Sequence, residues 1–191
     1  MDRSNLESDG RSAVLEMELK FRVDDLSGVA ERLRALGIEP GEPAEEKNLL
    51  LDLHGGPLRK TDTLFRLRSI GNGVLLTVKK PIPSTCLKVR LERETMLSCS
   101  LEEALELFSL LGYGVVCTYE KKRRECRLGD AAVCLDELWF GSFVEIEAAS
   151  GDAVMEAAGR LGFDPGEGIR FSYAHLQRDA EEELRNEGLL T

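Results

Sequence analysis

The sequence lacks any long hydrophobic run. No apolar stretch among its 191 residues approaches the roughly 20 residues that a membrane-spanning helix needs. The segment from Met1 to Ser12 is polar and has no apolar stretch of the kind found in a signal peptide. These two absences predict a cytoplasmic protein with no membrane partner.

Paired cysteine motifs are also missing. The chain has five cysteines, an odd number, and no two of them are spaced as Cys-x-x-Cys. Most of them lie in apolar or strand-like runs, so we expect buried, reduced thiols rather than disulfides or a metal site. Such cysteine usage agrees with a reducing compartment.

An excess of basic residues is absent as well. Acidic residues outnumber basic ones by 35 to 25, which gives a formal net charge of −10. This balance argues against a protein that holds nucleic acid phosphates by bulk charge, and we expect no nucleic acid partner. A local basic pocket is still compatible with it, because the basic residues cluster on predicted strands while many acids fall on predicted helices.

What the sequence has instead is strict alternation of polar and apolar residues. Residues 14–23, VLEMELKFRV, have the period of a β-strand with two unlike faces. The same alternation recurs around Arg66, Lys79, Arg90 and Glu145. Together with the turn signals it predicts strands at 14–23, 46–53, 63–70, 73–80, 86–97, 114–128, 131–138 and 142–149.

Short glycine turns such as Gly71-Asn72-Gly73 join neighbouring strands and make them antiparallel. About eight antiparallel strands is a usual number for a small closed barrel. Four helices are expected: one capped by Asp24 and Asp25, one beginning at Ser100, and two beginning near Ser150 and Ser172. We therefore predict an α+β fold, a closed antiparallel eight-stranded β-barrel with helices packed outside. Residues 1–13 would form a flexible tail, 14–180 the barrel domain and 181–191 the helix end and tail.

Closing these strands would bring two sets of charges into one interior. The carboxylates are Glu16, Glu18, Glu92, Glu94, Asp136, Glu145 and Glu147. The cations are Lys20, Lys47, Arg66, Arg68, Lys79, Arg90, Lys121 and Arg123. Each unpaired buried ion costs several kcal/mol, so the interior must be wet or hold a ligand that neutralises both sets. A polyphosphate with a divalent metal meets both demands. The alternative is a set of exposed strand faces with cross-strand salt bridges.

An ordered series of motifs runs along these strands. They are Glu16-x-Glu18-x-Lys20, Lys47, Leu64-Phe65-Arg66-Leu67-Arg68, Thr77-x-Lys79-x-Pro81, Arg90-x-Glu92-x-Glu94, Lys121-x-Arg123, Leu135-Asp136-Glu137, Gly141-x-Phe143-x-Glu145-x-Glu147 and Ser172-Tyr173-x-x-Leu176. The series resembles the CYTH superfamily, the triphosphate tunnel metalloenzymes, over about residues 14–178. That group includes class IV adenylyl cyclases, thiamine triphosphatases and inorganic triphosphatases. One departure is Leu51-Asp52-Leu53-His54, where the family often has Phe-Asp-Thr-Pro.

The resemblance implies roles for the charged residues. Mg²⁺ or Mn²⁺ would be held by Glu16, Glu18, Asp136, Glu145 and Glu147, with Glu92 and Glu94 assisting. The triphosphate would be bound by Lys20, Lys47, Arg66, Arg68, Lys79, Arg90, Lys121 and Arg123. Glu16, Glu18 and Lys20 would be the catalytic residues.

The expected function is metal-dependent hydrolysis of a triphosphate, with inorganic triphosphate, thiamine triphosphate or ATP as partner. Hydrolysis does not require a pocket for a nucleobase or a ribose, and the sequence contains no motif specific for adenine. The alternative is a class IV adenylyl cyclase that converts ATP to cyclic AMP and pyrophosphate. A second alternative is a non-catalytic binder of polyphosphate or nucleotides. Relatives often form homodimers, although no feature of this sequence requires one.

Overall fold

A computed structural model describes residues 13–189, and within them eight strands and five helices. The strands are β1 Val14–Val23, β2 Ala44–Leu53, β3 Leu64–Ile70, β4 Gly73–Ile82, β5 Lys88–Leu97, β6 Tyr113–Leu128, β7 Ala131–Leu138 and β8 Gly141–Ala148. The helices are α1 Leu26–Ala35, α2 Pro57–Lys60, α3 Leu101–Leu110, α4 Gly151–Arg160 and α5 Tyr173–Asn186. The expected N-terminal tail lies almost wholly outside the described residues.

The strands close into one antiparallel barrel in the order β1-β5-β4-β3-β2-β6-β7-β8, and β8 pairs back onto β1. All eight pairings are antiparallel. The predicted fold class, a closed eight-stranded barrel with helices outside, is therefore confirmed.

The alternation in β1 sorts its side chains to opposite faces of the barrel wall. Leu19 and Phe21 lie on the outer face, in a buried apolar cluster with Val29 of α1 and Val154 of α4. Lys20, between them in sequence, lines the interior cavity. The apolar core therefore lies between the barrel and its helices, because the inner face is occupied by charges.

The other helices cover the rest of the wall. On the α3 side, Phe65 of β3 packs edge-to-face against Phe108 and Tyr113, with ring centroids 4.8 and 5.1 Å away. Tyr173 of α5 is buried in a third apolar cluster with Phe143 of β8, which shares the parity of Glu145 and Glu147 and so lies on the inner face of the barrel. These contacts fix α3 and α5 against the barrel.

Side-chain caps begin four helices where the sequence predicts them. The Asp25 carboxylate accepts a hydrogen bond from the Ser27 backbone N–H at 2.8 Å. Ser100 and Glu103 form a reciprocal capping box, and the hydroxyls of Ser150 and Ser172 cap α4 and α5. Each cap satisfies backbone donors that have no partner within the helix.

Two features differ from the sequence-based expectations. The short helix α2 was not predicted, because its four residues are too few to show a helical period. All five cysteines are free thiols, but only Cys134 is buried and Cys86 is exposed, so burial was predicted too widely. None of the helices between residues 13 and 189 is both long and apolar enough to cross a membrane.

Candidate functional site

A cavity of about 220 Å³ occupies the barrel interior, and charged side chains of both signs line it. Its cations are Lys20, Arg66, Arg68, Lys79, Lys88, Arg90, Lys121 and Arg123. Its carboxylates are Glu16, Glu18, Glu92, Glu94, Glu125, Glu145 and Glu147. The charges of this tunnel nearly cancel, although the whole chain carries −10. A nearly balanced interior avoids most of the cost of burying so many ions.

Strand register places many of these charges beside opposite partners. Lys79 of β4 lies across from Glu92 of β5, and its Nζ is 3.2 Å from Glu92 and 2.5 Å from Glu16. Lys20 of β1 lies across from Glu145 of β8 and donates a hydrogen bond to it. Cross-strand pairs of opposite charge stabilise a sheet, which explains how the interior tolerates them.

Three carboxylates of the tunnel also converge on one another, although lysines contact two of them. Glu16, Glu18 and Glu147 each offer an oxygen, and these oxygens all lie within 4.8 Å of one another. Glu18 and Glu147 are directly opposite in the β1–β8 register. Like charges in such positions are destabilising. The cluster consists of hard oxygen donors, the ligand type that Mg²⁺ and Mn²⁺ prefer, so its chemistry fits the ion implied by the family resemblance.

The neighbours of these carboxylates shift their pKa values in opposite directions. Burial acts to raise the pKa of Glu18, but Lys88 and Lys20 outweigh it and lower that pKa to about 2. Burial and the nearby Glu145 carboxylate raise the pKa of Glu147 well above its usual range. Glu18 is therefore ionised at neutral pH, whereas Glu147 favours its protonated form until a cation arrives.

A further tunnel carboxylate has a pKa near neutrality. Burial is the main cause that raises the pKa of Glu92, and the carboxylates of Glu16 and Glu94 raise it further. Lys79 acts in the opposite direction, and the resulting pKa is about 7. A carboxylate with such a pKa can exchange a proton at physiological pH.

Asp136 occupies a different environment from the converging carboxylates. Arg123 donates two hydrogen bonds of 2.6 Å to it, and Lys121 and Tyr173 donate at 3.2 and 2.6 Å. These donors hold the pKa of Asp136 below its usual range despite burial. With four donors already bound, Asp136 anchors the cations rather than joining the converging group.

The five carboxylates predicted to hold metal are thus divided by the structure. Glu16, Glu18 and Glu147 come together, whereas Glu145 pairs with Lys20 and with Arg123, whose Nη2 is 2.6 Å away. The sequence shows five carboxylates at strand positions that can face the barrel interior. It does not show which of them converge in the folded protein.

The inward orientation predicted for Lys47 is wrong. Its side chain is 55% exposed on the outer surface, and its Nζ lies 3.6 Å from Glu120. The inward positions of β2 belong instead to Glu46 and Asn48, which accept hydrogen bonds of 2.9 Å from Arg68. The other seven predicted cations all line the tunnel.

Several guanidinium N–H groups in the tunnel have no hydrogen-bond partner among the described residues. They are the Nε of Arg66 and the Nε and Nη1 of Arg90. Both side chains are buried, with residue exposures of 8% and 2%. Buried donors of this kind are normally satisfied, so these atoms are available to donate hydrogen bonds to acceptor oxygens.

Sequence reasoning left several tunnel residues out of the candidate site, among them Lys88, Tyr119, Glu125 and Tyr173. Lys88 alternates with Arg90 along β5, and Tyr119 shares the parity of Lys121 along β6, so strand period alone could have found both. Tyr173 begins a helix, and its place over the tunnel depends on how α5 packs. Its ring lies 4.3 Å from the Nζ of Lys20, a cation–π distance.

The fold and the residues that line the tunnel define a class of protein, an antiparallel barrel with both carboxylates and cations in its interior. The chain belongs to the CYTH domain family, whose sequence profile matches residues 15–160.

Individual proteins resemble this chain in sequence or in fold. A Methanocaldococcus jannaschii protein named as a candidate adenylate cyclase is 25% identical over 174 residues, covering 86% of this chain and 99% of its own. A Vibrio parahaemolyticus structure, also described as a candidate adenylate cyclase, superposes with a TM-score of 0.75 at 21% identity, covering 87% of this chain and 99% of that one. A candidate adenylyl cyclase of Hippeastrum, described as having a dominant triphosphatase activity, gives 0.61 at 18% identity, covering 92% and 97%.

Proposed function

We propose that this protein is a divalent-metal-dependent triphosphatase that acts on an inorganic or organic triphosphate inside the tunnel. One observation carries the proposal: the converging carboxylates of Glu16, Glu18 and Glu147 share a cavity with eight lysine and arginine side chains. Carboxylates supply a metal site and the cations supply a polyanion site. A triphosphate with its bound metal requires both.

The cations have distinct parts in holding the substrate. Arg66, Arg68, Arg90 and Arg123 present planar forks that match two phosphate oxygens at once. The unpartnered N–H groups of Arg66 and Arg90 are free to donate hydrogen bonds to these oxygens. The lysines Lys20, Lys79, Lys88 and Lys121 contribute point charges along the same bore.

Glu16, Glu18 and Glu147 would hold the metal. When bound there, Mg²⁺ or Mn²⁺ offsets the charge that develops on phosphate oxygens during phosphoryl transfer. Glu92, with its pKa of about 7, would accept a proton from the attacking water through a carboxylate oxygen. Lys20 keeps its charge, because Glu145 and Glu18 outweigh burial and raise its pKa.

Cyclisation of ATP is the second candidate. The names of the Methanocaldococcus and Vibrio relatives favour it. A second cavity next to the tunnel could also accommodate a nucleoside. Cyclisation and hydrolysis differ in the phosphorus atom that the nucleophile attacks. In cyclisation a ribose hydroxyl attacks the α-phosphorus, and pyrophosphate leaves. The same metal and cation set serves both reactions.

A product assay separates the candidates. The purified protein is incubated with Mg²⁺ or Mn²⁺ and with either ATP or inorganic triphosphate, and the products are resolved by chromatography. We expect inorganic phosphate from both substrates and no turnover by Glu18→Ala. Cyclic AMP and pyrophosphate as the main products of ATP would reject hydrolysis. Tight triphosphate binding in calorimetry without turnover at any metal concentration would reject catalysis.

A further inference from the structure

Arg90 of β5 is held by one carboxylate from outside the tunnel. Its Nη2 donates hydrogen bonds to both oxygens of Asp62 at 2.9 Å. The Arg90 side chain is only 3% exposed, whereas that of Asp62 is 68% exposed. Arg90 lines the tunnel and Asp62 does not. The pair therefore connects an exposed carboxylate to a buried cation of the proposed substrate site.

The bond to Asp62 leaves most of the Arg90 guanidinium available. Its Nε and Nη1 are buried and donate to no group of the described residues. Because the guanidinium is planar and rigid, fixing Nη2 also fixes the directions in which the other two nitrogens present their N–H groups. An anion that binds a fixed guanidinium loses less free energy to side-chain ordering than one that binds a mobile side chain.

The backbone around Asp62 holds its carboxylate in place. Asp62 has a φ of +50°, a conformation that aspartate adopts more readily than most residues. Its N–H donates to the Arg59 carbonyl at 3.1 Å, and the N–H of Thr63 donates to the Leu58 carbonyl at 2.9 Å. At the other end of α2, the Asp52 carboxylate accepts three backbone hydrogen bonds. The segment that carries Asp62 is thus fixed at both ends.

Strand register gives Arg90 a second possible partner. Glu16 lies directly across from Arg90 in the β1–β5 pairing. Opposite residues on neighbouring strands have Cβ atoms about 4.5–5.5 Å apart, within reach of an arginine side chain. Glu16 pairs instead with Lys79 and converges with the other proposed metal ligands. Without Asp62, Arg90 could turn to Glu16 and would then be engaged by a carboxylate of the proposed metal site.

We propose that Asp62 is a positioning residue for triphosphate binding, which holds Arg90 in the orientation where its free N–H groups donate to phosphate oxygens. Asp62 acts through Arg90 and contacts neither the triphosphate nor the metal. This inference rests on the proposed function, since it requires the triphosphate to lie in the tunnel. An exposed acidic residue without such a role would only repel a polyanion, so its neutralisation would strengthen triphosphate binding. The two possibilities predict changes of opposite sign.

Asp62→Asn separates these possibilities. Asparagine has nearly the same shape and tolerates a positive φ, so the substitution removes the charge and one acceptor oxygen while the backbone is kept. The affinity for inorganic triphosphate is measured by calorimetry in buffer freed of divalent metal, which prevents metal-dependent turnover. We expect Kd to rise by at least about threefold, toward the lower end of the couplings between residues of one hydrogen-bonded network.

Two further variants test how the effect is transmitted. Asp130→Asn removes the same charge from an exposed turn and should leave Kd within about twofold of the wild-type value. Arg90→Gln removes the residue through which Asp62 acts and should itself weaken binding. In the Arg90→Gln background, Asp62→Asn should therefore cause no further rise in Kd. If Arg90→Gln fails to fold, the comparison of Asp62→Asn with Asp130→Asn still decides the inference.

The outcomes keep this inference apart from the proposed function. An unchanged or lower Kd in Asp62→Asn, with normal triphosphate binding by the wild type, would overturn the inference and leave the tunnel assignment standing. An equal rise in Kd on adding Asp62→Asn to Arg90→Gln would overturn it too, since Asp62 would then act by another route. Absence of triphosphate binding by the wild-type protein, with or without Mg²⁺, would overturn the tunnel assignment itself.

Discussion

Tyr173 donates a hydrogen bond of 2.6 Å to the Oδ2 of Asp136, although 37 residues separate them in sequence. The bond joins the first residue of α5 to a fully buried carboxylate of β7. The tyrosine ring also lies within cation–π distance of Lys20 and Lys121. The final helix is therefore attached directly to the charged lining of the tunnel.

Loss of this bond should loosen α5. Tyr173→Phe removes one donor from a buried ionised acceptor, which costs on the order of 2 kcal/mol of unfolding free energy. Urea denaturation followed by circular dichroism measures the change. Tyr113→Phe, in the apolar cluster under α3, is the control and should cost clearly less. Equal losses in the two variants would show that the Tyr173 hydroxyl has no special role.

Removing one of the converging carboxylates should separate metal binding from folding. In Glu147→Gln we expect a melting temperature without metal no lower than that of the wild type, because glutamine reproduces the neutral form that Glu147 favours in the absence of a cation. The melting temperature increase on adding Mn²⁺ and the metal-dependent turnover should both disappear. Glu137→Gln, exposed on β7, should keep both. A full Mn²⁺ response in Glu147→Gln would contradict the metal assignment.

The two faces of the barrel wall can be compared by a pair of substitutions. Arg68→Ala removes a tunnel cation and should weaken triphosphate binding by about 1.5–3 kcal/mol, or roughly 10- to 100-fold in Kd. Lys47→Ala removes an exposed cation on the outside and should change Kd less than about twofold. Isothermal titration with inorganic triphosphate and Mg²⁺ gives both values. A similar loss in Lys47→Ala would mean that phosphate also binds outside the tunnel.

Strand alternation predicted the architecture well, since one inward charged face and one outward apolar face repeat on many strands. It gave the wrong orientation for Lys47. Residues 45–48, Glu-Glu-Lys-Asn, are all polar, so their alternation does not show which side chains face inward. A bulge between Leu50 and Leu51 shifts the register further along the same strand. The functions of Asp136 and Tyr173 could not be predicted because they depend on contacts between distant elements.

Asp52 provides a test of pH dependence. Its carboxylate accepts hydrogen bonds of 2.8–3.0 Å from the backbone N–H groups of Leu53, Leu58 and Arg59, fixing the start of α2. Burial opposes these bonds, but they prevail and lower the pKa of Asp52. A lowered pKa in the folded state stabilises the protein above the unfolded pKa of about 3.9, and the contribution is lost as pH falls through the folded value.

Asp52→Asn should therefore destabilise the protein by about 1 kcal/mol at pH 7. The difference from wild type should shrink steadily below about pH 4. Thermal denaturation of both proteins from pH 3 to pH 8 measures it, with Asp130→Asn in an exposed turn as control. A difference that does not change with pH would show that the charge of Asp52 contributes nothing.

The balanced charges of the tunnel leave nearly the whole acidic excess on the outer surface. At ordinary ionic strength a bare polyanion is repelled once it comes within about 10 Å of this surface, because salt screens the field at larger distances. A polyanion that already carries a divalent cation meets less repulsion. The exterior thus favours encounter with the cation-bound form, and a moderate rise in salt should speed association before it weakens the complex.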